Sequence, residues 1–297
     1  MKLLYNSKFL GHSCPSGIHP ESPERLKFFQ SEKETRLVFD EKVLELAHRK
    51  EYINLVREYC KKQLWLDSDT FTSLDSFETA VYAANSAIQA SETGAFALVR
   101  PPGHHAGIAK GEGFCLFNNM AIAVKHLLAK GKRVFVFDFD LHHGNGTQEI
   151  LQGEKNAFYF STHQLGIYPG TGLESGKNLI NVPLHAGCRD VEFIRVLEKK
   201  LMPAIEKFNP DITGLSAGFD CYYKDFNSQG FLYAPEKTPE SGEFFYGEPK
   251  EKSLGFSLTK RSFKKIKELL SSYKTFAVLE GGYNPESIWE GVNEFLD

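Results

Sequence analysis

Short apolar runs, each of strand length and bounded by Gly, Pro or Asp, constrain the fold of this chain more than any other feature. The runs are rich in Phe, Val and Ile, and such uninterrupted apolar character is typical of strands buried on both faces. Helical patterns separate them, and strands that alternate with helices predict an α/β fold with a parallel sheet covered on both faces. The predicted strands are 95–99, 134–137, 158–160, 212–216 and 276–279, and the predicted helices are 76–91, 118–129, 191–207 and 260–271.

Length, charge and hydropathy limit the number of domains and the kinds of partner that this chain can have. The 297 residues carry 35 Lys+Arg against 38 Asp+Glu, a net charge of -3, and we predict one domain over residues 1–297. Balanced charge without a basic run argues against a nucleic-acid partner. No apolar stretch approaches the ~20 residues of a membrane span, so no membrane partner is expected. The five scattered cysteines favour a reducing, cytoplasmic location, and the oligomeric state stays open.

Polar residues follow four of the predicted strands directly. Ligand sites in parallel sheets form beyond the carboxyl ends of the strands, where loops carry polar groups that the core excludes. These strand ends therefore predict one functional edge. The segments that follow the strands are Arg100-Pro-Pro-Gly-His104-His105, Asp138-Phe-Asp140-Leu-His142-His143-Gly-Asn145-Gly146, Ala217-Gly-Phe-Asp220 and Glu280-Gly281-Gly282-Tyr283-Asn284.

The alternation in Asp138-x-Asp140-x-His142 places three polar side chains on one side of an extended chain. Buried carboxylates beside an imidazole are costly unless they are paired or bind a metal, and an N/O donor set suits zinc. With Asp220, the set Asp140, His142 and Asp220 leaves an open coordination position, as catalytic zinc sites do. Hydrolysis also needs a base and an oxyanion donor, which His104, His105 and Tyr283 can supply.

Six motifs in the same order along the chain resemble the zinc-dependent histone deacetylase superfamily, which includes acetylpolyamine amidohydrolases. The resemblance covers nearly the whole chain, and 19–25 resembles the opening of the class II-like branch. It implies an arginase/deacetylase fold, a three-layer α/β/α domain around a mainly parallel, eight-stranded sheet. The motifs are Arg100-Pro-Pro-Gly-His-His-Ala106, Gly113-Phe-Cys-Leu-Phe-Asn-Asn119, Asp138-Phe-Asp-Leu-His-His-Gly-Asn-Gly146, Tyr168-Pro-Gly-Thr-Gly172, Gly218-Phe-Asp220 and Glu280-Gly-Gly-Tyr-Asn284.

The resemblance also implies roles for individual residues. One Zn²⁺ per chain would be bound by Asp140, His142 and Asp220, and Tyr283 would polarise the scissile carbonyl. His105 matches the general base, and His104 matches a neighbour that assists electrostatically or protonates the leaving amine. Asp138 would hold His104, and Asn145 would hold His105. An asparagine there agrees with the class II-like pattern, and as a neutral partner it should support basicity less than a carboxylate.

Further matches concern the substrate and a second ion. Gly113, Phe114 and Tyr168 match the wall of a narrow tunnel for an acyl-lysine-like chain, and Gly281 and Gly282 precede Tyr283 at its base. Without the family, ordinary core packing would be the better interpretation of Phe114 and Tyr168. The family also suggests a K⁺ ion held by backbone carbonyls and side chains. That ion would lie around Asp138, Asp140, His142 and Ser161.

Three rival functions remain open. A binuclear manganese hydrolase typically has a second Asp two residues after the first, where this chain has Tyr222. An inactive scaffold that only reads acyl-lysine would not need Tyr283, three ligands and both histidines. The third rival is an acetylpolyamine or small-amide deacetylase, which shares the chemistry with a protein acetyl-lysine deacetylase and differs at the rim.

Residues 225–252 form a predicted inserted loop beside Asp220. This segment has six acidic residues and three lysines, so it carries the whole net charge of the chain. A solvated loop is the simplest interpretation. The acidic and aromatic composition instead favours the hypothesis that the loop borders the tunnel mouth and selects cationic amides.

Overall fold

A seven-stranded sheet forms the centre of the chain in this computed structural model, which describes residues 1–225 and 255–296. The strands lie in the order β1-β2-β7-β6-β3-β4-β5, and every neighbouring pair is parallel. The strands are β1 Leu3–Leu4, β2 Phe96–Ala97, β3 Val134–Asp138, β4 Ala157–Gln164, β5 Leu179–Leu184, β6 Ile212–Ala217 and β7 Thr275–Leu279.

The central strand β3 explains why the functional residues meet at one edge. All five of its residues are buried, because β4 and β6 flank it and helices cover the sheet. Its last residue, Asp138, lies opposite Ser161 of β4 and Ser216 of β6. A single carboxylate is thus carried into the core at the carboxyl edge of the sheet. The residues that follow β3, β6 and β7 emerge beside it.

Eight α-helices complete the described fold, and side-chain caps begin several of them. Asn118 accepts the N–H of Ala121 at the start of α3, Thr259 accepts that of Arg261 at α7, and Asn284 accepts that of Glu286 at α8. Helices α2 and α3 pack on each other and on the sheet. The helices are α1 Lys50–Lys62, α2 Ser76–Thr93, α3 Asn119–Ala129, α4 Asn145–Leu151, α5 Asp190–Val196, α6 Met202–Phe208, α7 Lys260–Leu269 and α8 Pro285–Asn293.

The predicted α/β fold is confirmed, with corrections to its elements. The described residues form seven strands rather than the eight that the resemblance implies. The apolar run 95–99 contributes only Phe96 and Ala97 to the sheet, because β1 and β7, its neighbours, pair with just these two residues. The predicted helix 191–207 is interrupted by a π-helical segment, Leu197–Leu201, between α5 and α6.

Two sequence predictions concern the extent of the described residues: one lies almost entirely outside them, and the other is examined only within them. Apart from Asp225, the predicted loop 225–252 lies outside the described residues. Within residues 1–225 and 255–296, no helix has both the length and the apolar character that crossing a membrane requires.

Candidate metal centre and active site

The three predicted metal ligands come together at the carboxyl edge of the sheet. Asp140 follows β3 and Asp220 follows β6, and both are fully buried. Nδ1 of His142 lies 2.9 Å from Oδ2 of Asp220 and 3.2 Å from Oδ1 of Asp140. One potential ligand atom from each residue lies within 4.8 Å of the others. In the described part of the chain, this is the group of acidic, His and Cys residues with the geometry to hold a metal ion.

Main-chain donors fix the two carboxylates. Asp140 accepts the N–H of His142 at 2.9 Å on Oδ1 and that of Gly281 at 2.8 Å on Oδ2. Asp220 accepts the N–H of Leu141 at 3.0 Å. Each carboxylate therefore has a fixed orientation, which a preorganised metal site requires.

Charge and space both fit a divalent cation. Burial and the neighbouring Asp140 raise the pKa of Asp220. Burial alone would lower the pKa of His142, but the two carboxylates raise it to about 10. Two carboxyl groups are thus buried side by side, and a cation bound between them would favour the charged form of both. A Cβ atom on Gly281 would lie 2.5 Å from Oδ2 of Asp140 and 2.7 Å from Oδ2 of Asp220, so only glycine leaves this space open.

His104 forms a buried pair with Asp138. Its Nδ1 lies 3.1 Å from Oδ2 of Asp138, and its Nε2 lies 3.8 Å from Oδ1 of Asp140. Tyr159 donates its hydroxyl to the same Asp138 oxygen at 2.9 Å. Burial would lower the pKa of His104, but the two carboxylates raise it to about 10. This arrangement favours a protonated imidazole.

His105 has the opposite environment. Its ring centroid lies 4.0 Å from that of His104, and its Nδ1 lies 2.8 Å from Oδ1 of Asn145. Burial, followed by the charges of His104 and His142, lowers its pKa well below the usual value. The pKa values of two adjacent histidines are thus shifted in opposite directions, a pattern that is typical of a catalytic acid beside a catalytic base.

Tyr283 lies on a loop whose main chain is held by side chains from distant segments. We call residues 280–284 the Tyr283 loop. Arg25 donates to the carbonyls of Glu280 and Gly282, and Asp140 accepts the N–H of Gly281. Asp225 accepts the N–H groups of Tyr283 and Asn284. The position of Tyr283 is therefore set jointly by a candidate metal ligand and by two further buried charges.

The predicted substrate residues surround this centre. The Tyr168 ring meets the His105 ring edge-on at 5.0 Å, and the Phe114 ring meets the Tyr283 ring at 5.6 Å. A Cβ atom on Gly113 would lie 2.6 Å from Cδ2 of His105 and 2.9 Å from Cε1 of Tyr168. Tyr168 is 42% exposed and Phe114 is half-buried, so these two rings lie between the buried centre and solvent.

The structure also gives the positions of two further residues predicted for the site, Ser161 and Gly282. Ser161 is buried beside Asp138 in the sheet register, and its Oγ lies 2.9 Å from Nδ1 of His163. Gly282 has φ +115°, a conformation that favours glycine, and it directly precedes Tyr283.

Three carboxylates around the site have no role in the sequence-based prediction. Glu280 accepts the N–H groups of Gly103 and His104 at 2.8 and 3.0 Å, and Asp225 supports Tyr283. Glu112 accepts from the amide of Asn145 at 2.7 Å. Glu280 had a usable signal, since it directly follows the buried apolar strand β7. Asp225 and Glu112 had none, because their partners are distant in sequence.

Comparisons with known proteins agree with the predicted family. The histone deacetylase domain profile matches residues 19–297. A probable deacetylase of Archaeoglobus fulgidus is 33% identical over 96% of this chain and 81% of its own. The crystal structure of the HDA15 HD domain, 28% identical, has a TM-score of 0.83 over 99% of this chain and 89% of that one. The acetylpolyamine aminohydrolase of Burkholderia pseudomallei, 24% identical, shares the fold, with a TM-score of 0.78 over 99% and 97%.

Proposed function

The chain belongs to the histone deacetylase family and is a deacetylase, and from that premise we propose that it hydrolyses acylated amines with a zinc ion bound by Asp140, His142 and Asp220. The observation that carries the proposal is the convergence of these three donors with two histidines of opposite pKa shift and with the Tyr283 loop. Zinc bound there supplies Lewis acidity, which polarises a carbonyl and lowers the pKa of a bound water to ~7.

His105 acts as the general base in this proposal. Its pKa is low, so the ring is neutral, and its Nδ1 faces the Asn145 carbonyl oxygen. Nδ1 therefore carries the proton, and Nε2 has the free lone pair. Nε2 takes the proton from the attacking water.

His104 supplies the acid in this proposal. Its pairing with Asp138 favours the imidazolium form, which can protonate the departing amine. Asp138 remains buried and oriented by Tyr159. The acid and the base thus lie side by side with their rings 4.0 Å apart.

Tyr283 is the oxyanion donor in this proposal. Burial raises the pKa of its hydroxyl well above the usual value, so the O–H bond is retained and can donate to the carbonyl oxygen as charge develops. Gly281 and Gly282 let the loop pass close to the ligands. Gly113, Phe114 and Tyr168 form the walls that hold an unbranched acyl-amine chain between two aromatic rings.

The substrate class in this proposal is an acylated primary amine, with acetyl-lysine favoured over an acetylated polyamine. The family description favours the former, whereas the likeness to the acetylpolyamine aminohydrolase extends to the fold alone. A scaffold without catalysis has no specific support, because hydrogen bonds hold every residue of the proposed catalytic set. Those residues are His104, His105, Asp138, Asn145 and Tyr283, the last through its main chain.

Two finer points belong to the same proposal. We propose that a K⁺ ion binds near Asp138 and Ser161, which are neighbours across β3 and β4. We also propose a cytoplasmic location, since all five cysteines are free thiols, as a reducing compartment keeps them.

Metal analysis coupled to a deacetylation panel tests the proposal. The panel comprises an acetyl-lysine peptide, longer acyl-lysines, acetylspermidine and small acetylated amines. One zinc per chain together with turnover that a chelator abolishes supports it. A metal-loaded chain that hydrolyses none of these amides would overturn it, and a clear preference for acetylspermidine would replace the substrate class.

A further inference from the structure

A chain of hydrogen bonds extends from His105 past Asn145 to Glu112. His105 Nδ1 lies 2.8 Å from Oδ1 of Asn145, and Nδ2 of Asn145 donates to Oε1 of Glu112 at 2.7 Å. The second oxygen of Glu112 pairs with Lys110. The side chain of Glu112 is only 15% exposed, so water competes weakly for its oxygens.

Donor and acceptor chemistry determines the direction of each hydrogen bond in this series. A carboxylate only accepts hydrogen bonds, so the NH₂ group of Asn145 must face Glu112. Its carbonyl oxygen must then face His105, and an oxygen accepts only from a protonated nitrogen. Nδ1 of neutral His105 therefore carries the hydrogen, and Nε2 is left basic. Without Glu112, the Asn145 amide could turn over and donate to Nδ1, which would move the imidazole proton to Nε2.

A tight turn places Glu112 for this contact. The N–H of Cys115 donates to the carbonyl of Glu112 at 3.0 Å, and both central residues have positive φ, +56° at Gly113 and +70° at Phe114. A phenylalanine in this region is strained. The turn sets Gly113 against the His105 ring, and Glu112 beside it lies within hydrogen-bonding distance of Asn145, which in turn contacts the same ring.

We infer that Glu112 is a positioning residue that fixes the orientation of the Asn145 amide and, through it, the basic nitrogen of His105. The inference rests on the proposed function, in which His105 is the general base. It also predicts that Asn145 and Glu112 are a matched pair. An aspartate at position 145 would place two acceptor-only carboxylates at hydrogen-bonding distance, whereas a glutamine at position 112 could donate to that aspartate.

Exchange of the two groups tests the pairing. We expect Asn145→Asp to lower kcat at least ~10-fold, because two largely buried carboxylate oxygens would then face each other with no hydrogen between them. Glu112→Gln alone should lower kcat ~2- to 10-fold, since both orientations of Asn145 become available. The double variant should return to within ~3-fold of the original kcat, because the introduced glutamine amide donates to the introduced aspartate, which in turn accepts from Nδ1 of His105. Glu41→Gln, which alters a glutamate paired with Arg57, is the matched control and should not rescue Asn145→Asp.

A second readout does not depend on activity. In the metal-free protein labelled with ¹⁵N-histidine, the His105 signals should show one tautomer with the hydrogen on Nδ1, and Glu112→Gln should produce a mixture. An unchanged tautomer in Glu112→Gln, or an Asn145→Asp variant that Glu112→Gln fails to rescue, overturns the inference. If the unaltered chain hydrolyses no amide, the proposed function fails instead, and the tautomer measurement still decides the role of Glu112.

Discussion

Asp225 accepts the main-chain N–H of Tyr283 at 2.8 Å, and the same carboxylate oxygen accepts the N–H of Asn284 at 2.9 Å. Asp225 is fully buried. The residue at the start of the predicted inserted loop is therefore in direct contact with the backbone of the proposed oxyanion donor. Because no side-chain atom of Tyr283 is involved, the contact sets the place of the residue and leaves its hydroxyl free for substrate.

Replacement of Asp225 should affect turnover more than binding. We expect Asp225→Ala to lower kcat ~10- to 100-fold at saturating zinc with a smaller change in KM, because the Tyr283 hydroxyl is displaced from the reacting carbonyl. In a Tyr283→Phe background the same change should have no further effect on kcat. Additive losses in the double variant would contradict a role through Tyr283. Asp190→Ala is a control, since Asp190 accepts from Thr259 and Ser262 at the start of α7 and should affect stability alone.

Tyr283→Phe isolates the hydroxyl. Loss of one oxyanion donor costs ~10²–10³-fold in kcat in comparable hydrolases, and we expect a loss of this size here. The three proposed metal ligands are untouched, so zinc content by elemental analysis should remain at one per chain. Full activity in this variant would refute the assigned role.

Gly281→Ala should weaken metal binding. The added Cβ would lie 2.5 Å from Oδ2 of Asp140 and 2.7 Å from Oδ2 of Asp220, so the carboxylates or the loop must move. We expect at least a ~10-fold higher Kd for zinc, as for other changes in the support of metal ligands. Competition with a chromophoric chelator measures it. Gly176→Ala, whose Cβ would meet only the Leu179 side chain at 3.2 Å, should bind zinc normally.

A buried ionic cluster predicts acid sensitivity. Arg100 donates to both oxygens of Glu21, Arg25 donates to one, and His12 lies 3.4 Å away. Burial would raise the pKa of Glu21, but Arg100, His12 and Arg25 lower it to about 2. Burial lowers the pKa of His12 to about 3. For both groups the folded pKa is below the unfolded one, so the unfolded chain binds more protons and acid favours unfolding.

The free energy of unfolding should therefore fall as pH decreases from 6.5. His12 alone contributes at most about 1.4 kcal/mol per pH unit between 6.5 and 3, and Glu21 adds to it below 4.5. Urea titrations at pH 7, 6 and 5 measure the slope. His12→Asn should be less stable at pH 7 but should lose less stability between pH 7 and 5. An equal slope in both proteins would contradict the assignment to His12.

The meeting of polar residues at one edge of the sheet can be predicted from the sequence more readily than the outer parts of the fold. The residues after β3, β6 and β7 lie together there, because buried parallel strands bring their carboxyl ends to one edge. Strand β1, Leu3–Leu4, was not predicted, since two apolar residues have no periodicity. The contacts of Glu112 with Asn145 and of Asp225 with Tyr283 span 33 and 58 positions, and no local pattern encodes a partner at such separation.

The hydrogen bond from Gly281 to Asp140 joins the Tyr283 loop to the candidate metal centre. In the proposed site one carboxylate therefore serves both ion binding and loop placement, so the affinity for the ion and the stability of the loop are coupled. Such coupling is reciprocal. If the bound ion stabilises the ordered loop by a given factor, the ordered loop raises the affinity for the ion by the same factor. A chain without its metal should then show faster amide hydrogen exchange at Gly281 and Tyr283, although neither residue is a ligand.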